Sequence, residues 1–192
     1  LMNLCLFVFV SFLLFFSCSD SSIPDKKLPN ILIAISDDQS WIHAGAYGCE
    51  FIETPHFDRI AREGILFTNA ISPSPGCAPS RSALVTGRYP WQNGHAGQHQ
   101  STWPDSIKTL PDYLKEAGYH CGYTGKGVAP FAHVLSGRFE NPAGPEYNAQ
   151  HCNPLTTEIS SRDYSANFND FISEWDGSSP FYFWYGSHET HR

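Results

Sequence analysis

Between Cys77 and Arg88 the chain reads CAPSRSALVTGR, which sets a cysteine two residues before a proline and four before an arginine at the start of a helical pattern. A helix N-terminus offers unpaired backbone N–H groups and the positive end of the helix dipole, so this position favours an anion. Arg81 adds a guanidinium that suits a tetrahedral oxyanion through paired hydrogen bonds. Cys77 itself has four readings from its residues alone: a small buried side chain, half of a disulfide, a thiol nucleophile, or the precursor of another group. A thiolate phosphate loop would place its arginine six residues after the cysteine, and Ala83 stands there. A zinc site of Cys77, His95 and His99 lacks a C-x-x-C partner.

Two further places have residue types that do chemistry. Asp37 and Asp38 are adjacent carboxylates after an apolar run, and their repulsion is relieved either by water in a solvated turn or by a hard oxygen-seeking cation, Ca²⁺ or Mg²⁺. His188 follows a second apolar run, where a histidine is either a structural side chain or a site residue. Ligand sites in open parallel sheets lie beyond the carboxyl ends of the strands, so these residues and Cys77 would meet if the runs are neighbouring strands.

The elements that would hold them there read as follows. NILIAIS (Asn30 to Ser36) is a short Ile-rich run, the pattern of a strand buried on both faces. TPHFDRIAREG has Thr54 as N-cap, Pro55 at the first helical position and Gly64 as the stop. ILFTNAIS (Ile65 to Ser72) reads as a second strand, and the helix after PSPGCAP as covering Ser80 to Thr86. A helix is expected at Leu110 to Ala117, then a strand and glycine turn in HCGYTGK, a surface excursion from Val128 to Ser161, a helix in DYSANFNDFISEW, and a last strand, PFYFWYGS, ending just before His188. Alternating strands and helices make this an α/β chain with a mainly parallel sheet flanked by helices.

The 192 residues, 41% hydrophobic and 15% aromatic, suffice for one domain with a core. A formal charge of −7 and the lack of any basic stripe exclude a nucleic-acid partner. Residues 1–18 are almost uniformly apolar and read as an export signal, with Cys18 in FFSCSDSS resembling a loose bacterial lipobox. The expectation is an exported protein of the periplasm or cell surface, touching membrane only through a lipid anchor at Cys18. Residues 19–29 form a polar linker and 30–192 the folded unit. Cys49, Cys77, Cys121 and Cys152 remain, and if Cys77 is modified at most one disulfide forms among the others.

CAPSRSALVTGR resembles the signature of type I sulfatases, C-x-P-S-R-x-x-L-x-T-G-R, at Cys77, Pro79, Ser80, Arg81, Leu84, Thr86, Gly87 and Arg88. The resemblance extends from about Asn30 onward and implies an alkaline-phosphatase-like sulfatase fold, of which this chain is the N-terminal portion of the catalytic domain. It implies that a formylglycine-generating maturation enzyme oxidises Cys77 to Cα-formylglycine. One hydroxyl of the hydrated aldehyde would attack sulfur, and the other would expel sulfate by collapse to the aldehyde, where a serine or thiol would leave a stable ester.

PNILIAISDDQ is similar to the family's first strand with its Ca²⁺-binding aspartates. Asp37 and Asp38, with the modified Cys77, are thus implied as ligands of Ca²⁺, or of Mg²⁺ in its place. GYTGKG resembles the family's glycine-lysine turn and assigns sulfate binding to Lys126. The family's G-K-x-H pattern fails at Val128, which leaves His133, or a residue outside this chain, to help protonate the leaving atom. FYFWYGSHETHR is similar to the strand ending in a histidine, with His188 at the bridging atom and His191 in support. QNGHAGQHQ with SHETHR resembles the heparan N-sulfatase subgroup and places His99 at the substrate.

The implied activity is hydrolysis of sulfate esters or sulfamates of a sulfated carbohydrate such as N-sulfoglucosamine. The alternatives are a phosphomonoester or phosphonate hydrolase on the same fold, and an inactive glycan-binding surface lipoprotein.

Overall fold

The computed structural model describes residues 27–191, so the expected export signal, with Cys5 and Cys18, lies outside the described residues. Three parallel strands carry the architecture: β1 (Ile31–Asp37), β2 (His120–Gly125) and β3 (Phe181–Thr190), in the order β1-β3-β2. Among the described residues four α-helices accompany them: α1 (Pro55–Glu63), α2 (Cys77–Thr86), α3 (Leu110–Glu116) and α4 (Tyr164–Glu174). This is the expected α/β arrangement.

β3 is central, flanked by β1 and β2, and its Tyr182, Phe183 and Trp184 are consecutive and buried, as are Cys121 to Gly125 of β2. β1 corrects the expectation of burial on both faces. It is an edge strand in which Ile31, Ile33 and Ile35 lean on the core while Leu32 is 60% exposed. Trp103, Val128, Tyr182 and Trp184 centre the core.

ILFTNAIS forms no strand. Ile65, Phe67 and Ile71 are exposed, and no described strand pairs with this run; its apolar composition alone does not make a strand without a partner edge. Helix α2 starts at Cys77, three residues earlier than expected, because Gly76 is extended at the cap and Pro79 falls in the first turn, where its missing N–H costs nothing. β3 runs through to Thr190, so His188 lies within it rather than after it.

The Val128–Ser161 stretch is no simple surface excursion. The Asn141 side chain accepts from the Val128 and Ala143 N–H groups and donates to the Val128 carbonyl, which holds a buried bend together. Beyond it, Tyr123 N–H donates to Pro145 O and Tyr147 N–H to Tyr123 O, so this segment lines the free edge of β2. Cys49, Cys77, Cys121 and Cys152 are all free. Burial pushes the Cys121 thiol up to about 11, which makes it inert.

Candidate active site

Because all three strands are parallel, their carboxyl ends open on one side, and Gly186 of β3 sits opposite both Ile35 and Gly125. Glycine is required there by space: a Cβ on Gly186 would lie 2.1 Å from the Lys126 carbonyl, and one on Gly125 2.0 Å from the Gly186 carbonyl. Gly125 also has a φ of +74°, where other residues are strained. This close approach turns Lys126 over the end of β3 toward β1. Gly186→Ala is expected to unfold at lower denaturant by about 1–3 kcal/mol through overpacking, measured by urea titration.

Lys126 therefore reaches Asp37, and its Nζ donates to Asp37 Oδ2. From the other side Arg81 Nη2 donates to Asp37 Oδ1 at 3.0 Å, while its Nη1 donates to the carbonyls of Lys126 at 2.7 Å and Gly127 at 3.1 Å. The guanidinium also stands 5.7 Å over the Trp184 ring, whose Nε1–H donates to the same Lys126 carbonyl. Arg81 and Asp37 are both 4% exposed, so one carboxylate is shared by a buried guanidinium and the half-buried ammonium of Lys126. Burial alone would raise the Asp37 pKa, but the Lys126 hydrogen bond and the Arg81 and Lys126 charges outweigh it and hold the group below 3.8.

Cys77 occupies the first position of α2, and its Sγ lies 3.1 Å from His99 Nε2. Asp37, Asp38, Cys77, Arg81, His99 and His191 all line one cavity of about 650 Å³. Lys126 and His188 are not on its wall. Lys126 stands behind Asp37, and His188 is half-buried in β3, where burial lowers its pKa. The Lys126 and Arg162 charges lower it further against the opposing pull of Glu189 and Asp37.

His133 is not brought to the site. It sits in a 3-10 turn with its Nδ1 buried, and the charges acting on it are those of Arg138 and Glu146. Val128 is fully buried in the core. His95 is exposed and contributes nothing at Cys77, and among the described residues no three His, Cys, Asp or Glu side chains cluster as a metal site.

Asp37 and Asp38 suit a hard divalent cation by donor chemistry. Each Asp37 oxygen accepts one bond and retains capacity for another, and Asp38 is exposed at the cavity with a φ of 59°. Two carboxylates make part of a shell of about six to eight oxygens.

Two site residues escaped the sequence reading. Asn148, 8% exposed, clamps Gly125 from both sides: its Oδ1 accepts from Gly125 N–H at 2.6 Å and its Nδ2 donates to Gly125 O at 3.1 Å. No signal marks it within an Asn- and Pro-rich stretch. Trp184 is concealed as one more aromatic in an apolar run, whereas Gly186 inside that run signals a close backbone approach.

A sulfatase family model matches residues 29–192. The ulvan-active sulfatase of Formosa agariphila is 44% identical over 106 residues, 55% of this chain and 21% of that protein. The N-acetylgalactosamine-6-sulfatase of Homo sapiens is 42% identical over 127 residues, 58% of this chain and 24% of its own. A solved protein in complex with its substrate D-glucosamine-2-N,6-O-disulfate superposes with a TM-score of 0.65 at 27% identity, covering 86% of this chain and 35% of that one. The chain thus spans less than a quarter of the length of the two curated relatives. With that family model running over the whole described fold and over each residue gathered around Asp37 and Cys77, the chain belongs to the sulfatase family.

Proposed function

We propose that this chain forms part of the catalytic domain of a hydrolase of sulfate esters or sulfamates on sulfated glycans, with N-sulfoglucosamine of heparan type as the first substrate to test. The observation that carries this reading is the Arg81–Asp37–Lys126 arrangement beside Cys77 at a helix N-terminus: fixed positive charge next to a nucleophile position, at the open end of a parallel sheet. The sulfated sugars named for the relatives and for the solved complex support a glycan substrate.

The sulfate group is proposed to enter the cavity onto the free N–H groups that open α2, with Cys77 carried as Cα-formylglycine. Arg81, held by three acceptors, cannot swing away and orients the nucleophile. Lys126, held behind the cavity wall by Asp37, acts on charge that develops on the sulfate oxygens through its field rather than by contact. His99, at hydrogen-bond distance from the Cys77 side chain, contacts substrate and nucleophile together, and His191 lines the wall. His188 is the group proposed to offer a hydrogen bond to the bridging atom, reached by a substrate that extends beyond the cavity wall, and burial, which lowers its pKa, favours the uncharged ring. Asp37 and Asp38 would hold Ca²⁺, which when bound neutralises sulfate oxygens and lowers the pKa of a touching hydroxyl. Export, with a lipid anchor at Cys18, belongs to the same proposal and is tested by palmitate labelling of Cys18.

Mass spectrometry of the Cys77 tryptic peptide, from a host with a competent maturase, is the deciding experiment. The expected peptide is lighter by the difference between CH₂SH and CHO, and the enzyme releases sulfate from N-sulfated or O-sulfated glucosamine faster than phosphate from 4-nitrophenyl phosphate. An unmodified thiol with glycan binding but no sulfate release would instead identify an inactive binding protein, and faster phosphate release a phosphohydrolase.

A further inference from the structure

Helix α4 opens on the catalytic side of the sheet, and its first residue is tied to two separate parts of the site. Asp163 caps the helix by accepting from Ala166 N–H at 2.9 Å. The fully buried Asn167 locks the same turn, donating to the Asp163 and Gln150 carbonyls and accepting from Gln150 N–H. Tyr164 is thereby held at a fixed place, with its ring edge-on to Tyr185 at 5.2 Å.

The Tyr164 hydroxyl accepts from His188 N–H at 3.0 Å and donates to Glu189 Oε2 at 2.9 Å. Glu189 Oε1 accepts from Ser160 N–H at 2.9 Å, so the carboxylate is itself fixed. The ring of Tyr164 also fills the space a side chain at Gly125 would need, 2.8 Å from that Cβ position. One phenol therefore touches both the turn that delivers Lys126 and the backbone that delivers His188.

We infer that Tyr164, with Glu189 as its acceptor, is a positioning residue that sets the spacing between Lys126 and His188 across the end of β3. The inference rests on the proposed roles of those two residues. A misplacement of the order of 1 Å at groups acting on a transferring atom costs up to about a hundredfold in rate. Removing the hydroxyl frees the His188 peptide, which lies inside β3 beyond the last regular pairing with β2 at Gly186.

The test is Tyr164→Phe in the purified enzyme, with Glu189→Gln as the conservative companion. Tyr164→Phe keeps the ring on Gly125 and Tyr185 and is expected to lower kcat about tenfold with KM within twofold and little change in unfolding midpoint. Glu189→Gln, which keeps an oxygen to accept from the phenol, is expected to retain more activity than Tyr164→Phe. A readout independent of turnover is the imidazole ¹⁵N shift of His188 in selectively labelled protein, expected to move in Tyr164→Phe. The charged and titratable groups facing that ring are Glu189, Lys126, Arg162 and Asp37, unchanged in Tyr164→Phe.

Unchanged kcat together with an unchanged His188 shift overturns the inference, and so does a parallel fall in stability and kcat that Tyr164→Phe shares with any loss of packing. A wild-type enzyme that releases no sulfate overturns the proposed function instead, and the His188 shift still decides the role of Tyr164.

Discussion

Asp37→Ala is expected to destabilise the protein by about 3–5 kcal/mol and to abolish sulfate release in the same variant. Both effects trace to one carboxylate, which balances two cations and is one of the two proposed Ca²⁺ ligands. The carboxylate is 4% exposed and balances the guanidinium of Arg81, equally buried, and the ammonium of Lys126. Without it two positive charges face each other in a poorly hydrated space, and the penalty is that of an uncompensated buried charge rather than of a lost surface ion pair. Asp37→Asn, which can accept from one cation but turns an amide N–H₂ toward the other, is expected to fall between alanine and wild type. Urea midpoints for the three proteins measure the effect; equal midpoints would show that water screens this carboxylate.

The same carboxylate fixes a direction with pH. Its folded pKa lies below the ordinary 3.8, so its contribution to stability is complete above that value and is lost as the pH falls through the lower folded value. Asp37→Asn should therefore flatten the acid side of the stability profile. The effect on activity follows from position: Arg81 loses its 3.0 Å partner while keeping its bonds to two carbonyls, so it remains nearby but can rotate.

Much of this was legible in the chain, for reasons that differ from element to element. The end of β1, the glycine-lysine turn and the apolar start of the last strand were readable because apolar runs broken by charged or glycine residues are a local signal, although the strand runs on through His188. Parallel pairing then places such ends together. Cys77 and Arg81 were readable through fixed spacing. What the sequence concealed was long-range. Whether ILFTNAIS pairs depends on an edge elsewhere in the fold, so composition alone misled. Asn148 acts by two hydrogen bonds to Gly125 across 23 residues and Tyr164 by one to His188 across 24, and no periodicity announces such contacts. The 3.1 Å approach of His99 to Cys77 likewise arises from how the chain after α2 folds back on its first turn.

Cys77→Ser is expected to cut turnover by at least about a thousandfold while leaving a sulfated enzyme behind. Serine keeps one oxygen where the hydrated aldehyde proposed at Cys77 has two. That oxygen can still attack sulfur, since α2's N–H groups and Arg81 are untouched by the substitution and the side chain remains at the first helical position. What it cannot do is collapse: with no second hydroxyl on the same carbon, no carbonyl can form to expel sulfate, and the ester must wait for attack by water. Incubation with substrate should release one equivalent of desulfated sugar and then stall, with the Cys77 peptide of the variant heavier by one SO₃. Cys77→Ala should show neither product nor adduct. If the serine variant turned over at the wild-type rate without an adduct, the second hydroxyl would be irrelevant, and the cavity beside Asp37 would be activating water directly.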